Sequence, residues 1–426
     1  MKQQISWTAV ALALFVAFPS SSPAQKISPD EQRIVTYIDA HKSDAEALLE
    51  KSVNVESATE NLAGVREAGM VFGDELLALG FKTKWIEMPT EMRRAGHLFA
   101  EKKGTKGKRI LLLGHLDTVL SGERFRRERD KAYGTGTSDM KGGDVVIVYA
   151  LKALRETGAL KDASIIVILT GDEENTGRPN ESRIASMIAA AQRSDVALSF
   201  DGGERNSALA AERGQSFWEL TVTAKTGHSS HIFREETGDG AIFEAARILN
   251  QFYESLHNEK YLSLNPGAMG GGSEVTDDGK ITTTVTGRGS VVSSKAVAYG
   301  DLRFISQEQQ ERGRARMREI VAQSLPGTSA KITFSDGLPA MPPTEGNNAL
   351  LKQLDGVSRD LNFGKVEAAE PIGGATDLSV IAHLVPSLED LGAIGAGDHE
   401  RGEYVELDTL PMQIKRAALL IYRLTR

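Results

Sequence analysis

Short, uninterrupted apolar runs punctuate the chain at Arg109 to Leu113 (RILLL), Ser164 to Leu169 (SIIVIL) and Val196 to Ser199 (VALS). Strands without a polar face are covered on both sides, as in a parallel sheet. Between the first two runs, residues from about 143 to 156 repeat apolar positions at helical spacing and stop at Gly158. Ser28-Pro29-Asp30-Glu31 reads as a helix start, with a capping serine, proline at the first position and acids in the first turn. A second helical stretch runs from about 59 to 79 and ends at Gly80. Strands alternating with helices predict an α/β fold, a mostly parallel sheet with helices on both faces.

The pattern changes near Gly214. SFWELTVTA alternates as an antiparallel strand does, and a helix follows at about 239 to 256, with Ile242, Ala246, Leu249, Phe252 and Leu256 on one stripe. The glycine-rich NPGAMGGGSE reads as a turn or loop, and KITTTVTG, AVAYGDLRF and AKITF read as strands. After a proline-rich joint at Pro339 to Pro343, helix and strand alternation resumes up to a C-terminal helix near 410–424. A smaller α+β domain, 214–335, is therefore expected as an insertion that divides a larger domain into 25–213 and 336–426. No internal repeat or low-complexity tract is evident.

Composition narrows the function. A chain of 426 residues exceeds one ordinary core, in keeping with two domains. A net charge of -8 without a basic cluster speaks against nucleic acid as a partner. RFRRERD (124–130) is mixed in sign and reads as a solvated loop or edge. With 0 cysteines, disulfides and thiolate ligands are excluded, so any metal must use imidazole and carboxylate. Lys2, the apolar stretch Trp7 to Phe18 and the small-x-small site Ser22-Pro23-Ala24 have the layout of a signal peptide, 1–24, leaving Gln25 first. The apolar stretch is shorter than the roughly 20 residues of a spanning helix. The expectation is an exported protein, periplasmic or secreted, without a membrane anchor after cleavage.

Polar residues cluster where the apolar runs end. In open parallel sheets ligands bind at the carboxyl ends of strands. There GHLDTV delivers His115 and Asp117, GDEE delivers Glu173 and Glu174, and SFDGGE delivers Asp201. GTSDMKGG sets Asp139 in a glycine-bearing loop before a helix, and GAGDHERGEY sets His399 in a loop. Taken singly, each is an ordinary turn residue. Together they form an imidazole–carboxylate set that suits zinc, and also manganese or cobalt. Two metals need a bridging carboxylate, and paired glutamates at one strand end can divide the work of ligand and base.

These five motifs, in this order from residue 109 to 405, resemble those of the zinc-dependent exopeptidases and deacylases that include glutamate carboxypeptidase, aminoacylase and succinyl-diaminopimelate desuccinylase. The resemblance covers nearly the whole mature chain. It implies a di-metal site with Asp139 bridging, His115 and Asp201 completing one metal and Glu174 and His399 the other. Asp117 is implied to orient His115, and Glu173 to be the general base. KTGHSSH in the inserted lid resembles the motif whose histidine, His228 here, reaches a neighbouring subunit's active site in a homodimer; His231 has no counterpart and reads as surface. Arg303 in GDLRF resembles a lid arginine that binds substrate carboxylate; an ordinary strand-end ion pair is its other reading. IGGATDLS resembles a loop whose amides, at Gly373 and Gly374, hold the substrate's terminal carboxylate.

Departures bear on the substrate. Ser290 replaces the asparagine of the lid motif, Leu338 stands where glutamate-cleaving relatives carry arginine, and Ser207 where a lysine is expected. Fewer cations favour a broad or apolar C-terminal residue over strict glutamate. The resemblance thus implies a carboxypeptidase-type exopeptidase, with an N-acyl amino acid deacylase as the alternative. A non-catalytic binding protein on the same fold would have no use for Glu173.

Overall fold

The computed structural model describes residues 27–277 and 282–426. The expected signal peptide lies outside them. Ten strands matter for the site: β1 (Lys82–Ile86), β2 (His97–Lys102), β3 (Lys106–His115), β4 (Ala163–Thr170), β5 (Val196–Ser199), β6 (Gly214–Ala224), β7 (Ser263–Gly272), β8 (Lys295–Phe304), β9 (Thr328–Asp336) and β10 (Ser387–Leu388). The first sheet has the order β1-β2-β4-β3-β5-β10. β3, β4, β5 and β10 are parallel, and β2 runs against both its neighbours.

Why the runs lack a polar face is visible in the packing. Ile110, Leu112, Val167 and Leu198 point to one side, onto helices α1 (Pro29–Ala40), α2 (Lys42–Val53), α3 (Leu62–Ala78), α4 (Lys141–Glu156) and the C-terminal helix (Leu410–Leu424). Leu111, Leu113, Ile166 and Ile168 point to the other, onto α5 (Asn180–Ala191) and a short helix, Asp377–Ile381. The capping box at Ser28 and Glu31 forms as its residues dictate. The expected helices stand at 62–78 and 141–156, within a few residues of their sequence bounds.

β6 to β9 form a separate antiparallel sheet in the order β7-β8-β6-β9. Trp218, Leu220, Ala296, Ala298 and Leu302 bury one face of it under α6 (Ala241–Leu256) and α7 (Gln307–Val321). NPGAMGGGSE is a strand, not a loop: β7 pairs with β8 from Ser263 opposite Arg303 to Gly272 opposite Lys295. It lies at the sheet edge, where Pro266 is tolerated beside a register shift. Its glycines admit close neighbours, since a Cβ on Gly271 would stand 2.6 Å from Ile242 Cγ1. The two crossings between the sheets pair with each other as a ribbon, Glu212 opposite Met341 and Gln215 N–H donating to the Leu338 carbonyl. Arg126–Glu128, within RFRRERD, is an exposed edge strand.

Candidate metal centre

His115 is the last residue of β3 and is almost completely buried. Its Nδ1 lies 2.9 Å from the backbone carbonyl of Asp117, a bond that places the proton on Nδ1 and leaves Nε2 as a free lone pair. Nε2 lies 2.9 Å from Asp139 Oδ1 and 3.7 Å from Asp201 Oδ1. The second Asp139 oxygen, Oδ2, lies 3.1 Å from His399 Nε2, which is in turn 3.0 Å from Glu174 Oε2. One carboxylate therefore faces two histidines, an oxygen to each.

The backbone makes this possible. His399 sits in the hairpin between Gly395–Ala396 and Tyr404–Glu406, which pairs onto Lys131–Tyr133 and so returns to the sheet edge near Asp139. His399 adopts a left-handed φ of 64°, an uncommon conformation that histidine accepts more readily than most residues. Glu403, in the same hairpin, accepts from the Gly136, Ser138 and Asp139 amides at 2.7–3.0 Å. It is buried and fixes the loop that presents Asp139. Sequence reasoning missed Glu403, although it lies inside GDHERGEY.

Asp117 is placed differently from the expectation that its carboxylate orients His115. Its Oδ1 stands 3.6 Å from Nδ1, and the carbonyl does the orienting. The carboxylate accepts from Thr59 Oγ1 at 2.7 Å and from the amides of Glu173 and Glu174 at 3.1 and 3.2 Å. It ties the glutamate pair to the end of β3.

The adjacent glutamates diverge. Glu174 groups with His115 and Asp139, and Glu173 with His115 and Asp201, each set with ligand atoms within 4.8 Å of one another. Behind Glu173 lies a buried ion network. Arg183 Nε donates to Asp172 at 3.1 Å and its Nη2 to Asp377, which also accepts from Thr170 Oγ1. Burial, then the charge of Asp377, pushes the Glu173 carboxyl well up from its ordinary range. Burial raises Glu174 to about 8, and the hydrogen bond to Asp139 lifts His399 to about 9. So many acids around two imidazoles, with N and O donors and no sulfur, fit hard or borderline divalent cations.

The lid residues have partners of their own. His228 caps a short 3-10 turn, is exposed, and its Nδ1 lies 2.8 Å from Ser230 Oγ. His231 is also exposed, its ring 6.0 Å from that of His228. Arg303 Nε donates to Asp301 at 2.8 Å, and its Nη1 reaches within 3.9 Å of where a Cβ on Gly374 would lie. A Cβ on Gly373 would meet nothing, so the fold itself does not require glycine there. Leu338 and Ser207 bring no cation of their own. Leu338 packs against the apolar cluster of Phe99, Leu111 and Leu378, while Ser207 pairs with Glu367 beside Leu354 and Arg416.

The model of "Peptidase family M20/M25/M40" matches residues 111–423, spanning every residue of this cluster. The chain belongs to peptidase family M20. It is 29% identical over 445 aligned residues to carboxypeptidase G2 of Pseudomonas sp. (strain RS-16), covering 99% of this chain and 98% of that relative. It is 26% identical over 367 residues to succinyl-diaminopimelate desuccinylase of Gluconobacter oxydans (strain 621H), covering 82% and 87%. Among solved structures, aminopeptidase PepT from Bacillus cereus ATCC 10987 shares the fold, with a TM-score of 0.71 at 17% identity, covering 90% of this chain and 99% of that one. As an M20 protein this chain is a metallohydrolase of amide bonds.

Proposed function

We propose that the protein is an exported carboxypeptidase-type exopeptidase, cleaving the amide bond beside a C-terminal amino acid at a two-cation centre. The observation that carries this reading is Asp139, whose two oxygens face His115 and His399 separately. Asp201 completes the first side and Glu174 the second; zinc suits these donors, and cobalt or manganese would also fit. When bound, the cations supply Lewis acidity and lower the pKa of an attacking water. Glu173, set beside His115 and Asp201, would accept a proton from the attacking water and pass it to the leaving nitrogen. Arg303 and the amides at Gly373 and Gly374 hold the substrate's free carboxylate.

The lid is proposed to join two copies, with His228 hydrogen-bonding the oxyanion in the neighbouring site. Exposed Ile242, Phe243, Met269 and Val285 support an interface there, and the Phe233 and Phe243 rings, 5.7 Å apart, link that surface to the His228 turn. Export rests on the layout of residues 1–24. Among the described residues no helix is long and apolar enough to cross a membrane.

Deacylation of N-acyl amino acids is the second reading, favoured by the likeness to a desuccinylase. Both reactions release a free amino acid and use the same residues. Assaying N-acetyl amino acids beside a dipeptide panel, with the metal content measured, separates them. Faster turnover of dipeptides upholds the exopeptidase, and turnover of acylated amino acids alone makes it a deacylase. Leu338 and Ser207 bring no cation, which favours a broad or apolar C-terminal residue over strict glutamate.

A further inference from the structure

Arg213 carries a charge that its contacts do not balance. It follows the ribbon residue Glu212 into the lid, where Nη2 donates to the Ile372 carbonyl and Nη1 to Ser263 Oγ at 3.3 Å. Both partners are neutral, and the buried Nε has no hydrogen-bond partner among the described residues. Arg303 differs, since its Nε is engaged by Asp301. The two arginines meet at one place. Ser263 is the cross-strand partner of Arg303, Arg213 holds Ile372, and Arg303 lies against Gly374.

We propose that Arg213 is the principal anchor for the substrate's free α-carboxylate, with Arg303 secondary to it; this rests on the carboxypeptidase reading. A guanidinium has five N–H donors in a fixed fork that matches a carboxylate, and Arg213 commits two of them. A buried donor left unpaired is costly, and a carboxylate oxygen is the strongest neutral-pH acceptor that could relieve it. Arg303 already shares its charge with an acid, so it attracts a second carboxylate less. The placement also serves the chemistry. The loop held by Arg213 runs on through Thr376 to Asp377, which is locked by Arg183 behind Glu173, so a carboxylate held at 372–374 sits at a set distance from the base.

The test compares kcat/KM for a free-acid dipeptide and its C-terminal amide in the wild type, Arg213→Gln, Arg213→Lys and Arg303→Gln. Glutamine keeps a donor for the Ile372 carbonyl and removes the charge. The wild type should prefer the acid. Arg213→Gln should lower acid hydrolysis about tenfold to a hundredfold, mostly in KM, and amide hydrolysis far less, so that the preference collapses. Arg213→Lys should retain more of the preference than Arg213→Gln, and Arg303→Gln more than either. Parallel losses on acid and amide would reduce Arg213 to a brace for Ile372 and overturn the proposal. So would an undiminished preference in Arg213→Gln. A wild type that treats acid and amide alike would overturn the carboxypeptidase reading itself, and the anchor with it.

Discussion

At the residue scale, the paired glutamates make the sharpest claim. Glu174 touches His399 and Glu173 faces His115 and Asp201, so neighbours in sequence have different partners. Glu173→Gln should keep its metal, measured by atomic emission, and lose hydrolysis by about a thousandfold. Glu174→Ala should instead lose metal. Equal metal loss in both would mean that the two do not divide the roles of ligand and base. Glu403 makes a second claim. Glu403→Ala removes the acceptor of three amides around Asp139 and should weaken metal binding by about tenfold or more, read by competition with a chelator, while Glu403→Gln recovers part of it. The candidate ligands were legible because they stand in compact motifs, most of them just past apolar runs. Glu403, Arg183 and Arg213 were not, because each acts through contacts between segments distant in sequence, which no local spacing encodes.

At the scale of elements, the strands of the first sheet were legible because both their faces are buried, which writes an apolar run into the sequence. β7 was not, since an edge strand rich in glycine has no side-chain pattern and owes its shape to pairing with β8. The ribbon between the sheets was equally invisible, and it carries an acid with consequences for stability. Glu212 and Glu389, both buried, accept from Thr376 N–H at 3.1 Å and Thr376 Oγ1 at 2.8 Å respectively. Burial raises Glu212 from 4.5 to about 7 and also pushes Glu389 well up. A raised carboxyl keeps in the folded state a proton that the unfolded chain releases. Its stabilising contribution is therefore full below pH 4.5 and is lost as pH rises through about 7. Glu212→Gln, which is neutral at every pH, should gain on the wild type in Tm at pH 8, on the order of 2–5 °C, and gain less at pH 5. Calorimetric scans at both values check this, and an equal difference at each would refute it.

At the scale of the whole molecule, the insertion was readable from a change of period near Gly214, whereas the proposed use of the lid calls for a second copy of the chain. If His228 serves a neighbouring site, His228→Ala and Glu173→Ala proteins should each be inactive, and a mixed dimer verified by mass should regain activity at one of its two sites. A mixed dimer that stays inactive would confine His228 to its own subunit. The two-cation centre itself is tested most directly by metal stoichiometry, because a bridging ligand belongs to both sites. Equilibrium dialysis against zinc should find two tight equivalents per chain in the wild type, one in Asp201→Ala and in Glu174→Ala, and none in Asp139→Ala. Two tight equivalents retained by Asp139→Ala, or a single equivalent in the wild type with full activity, would contradict a centre built on that shared carboxylate.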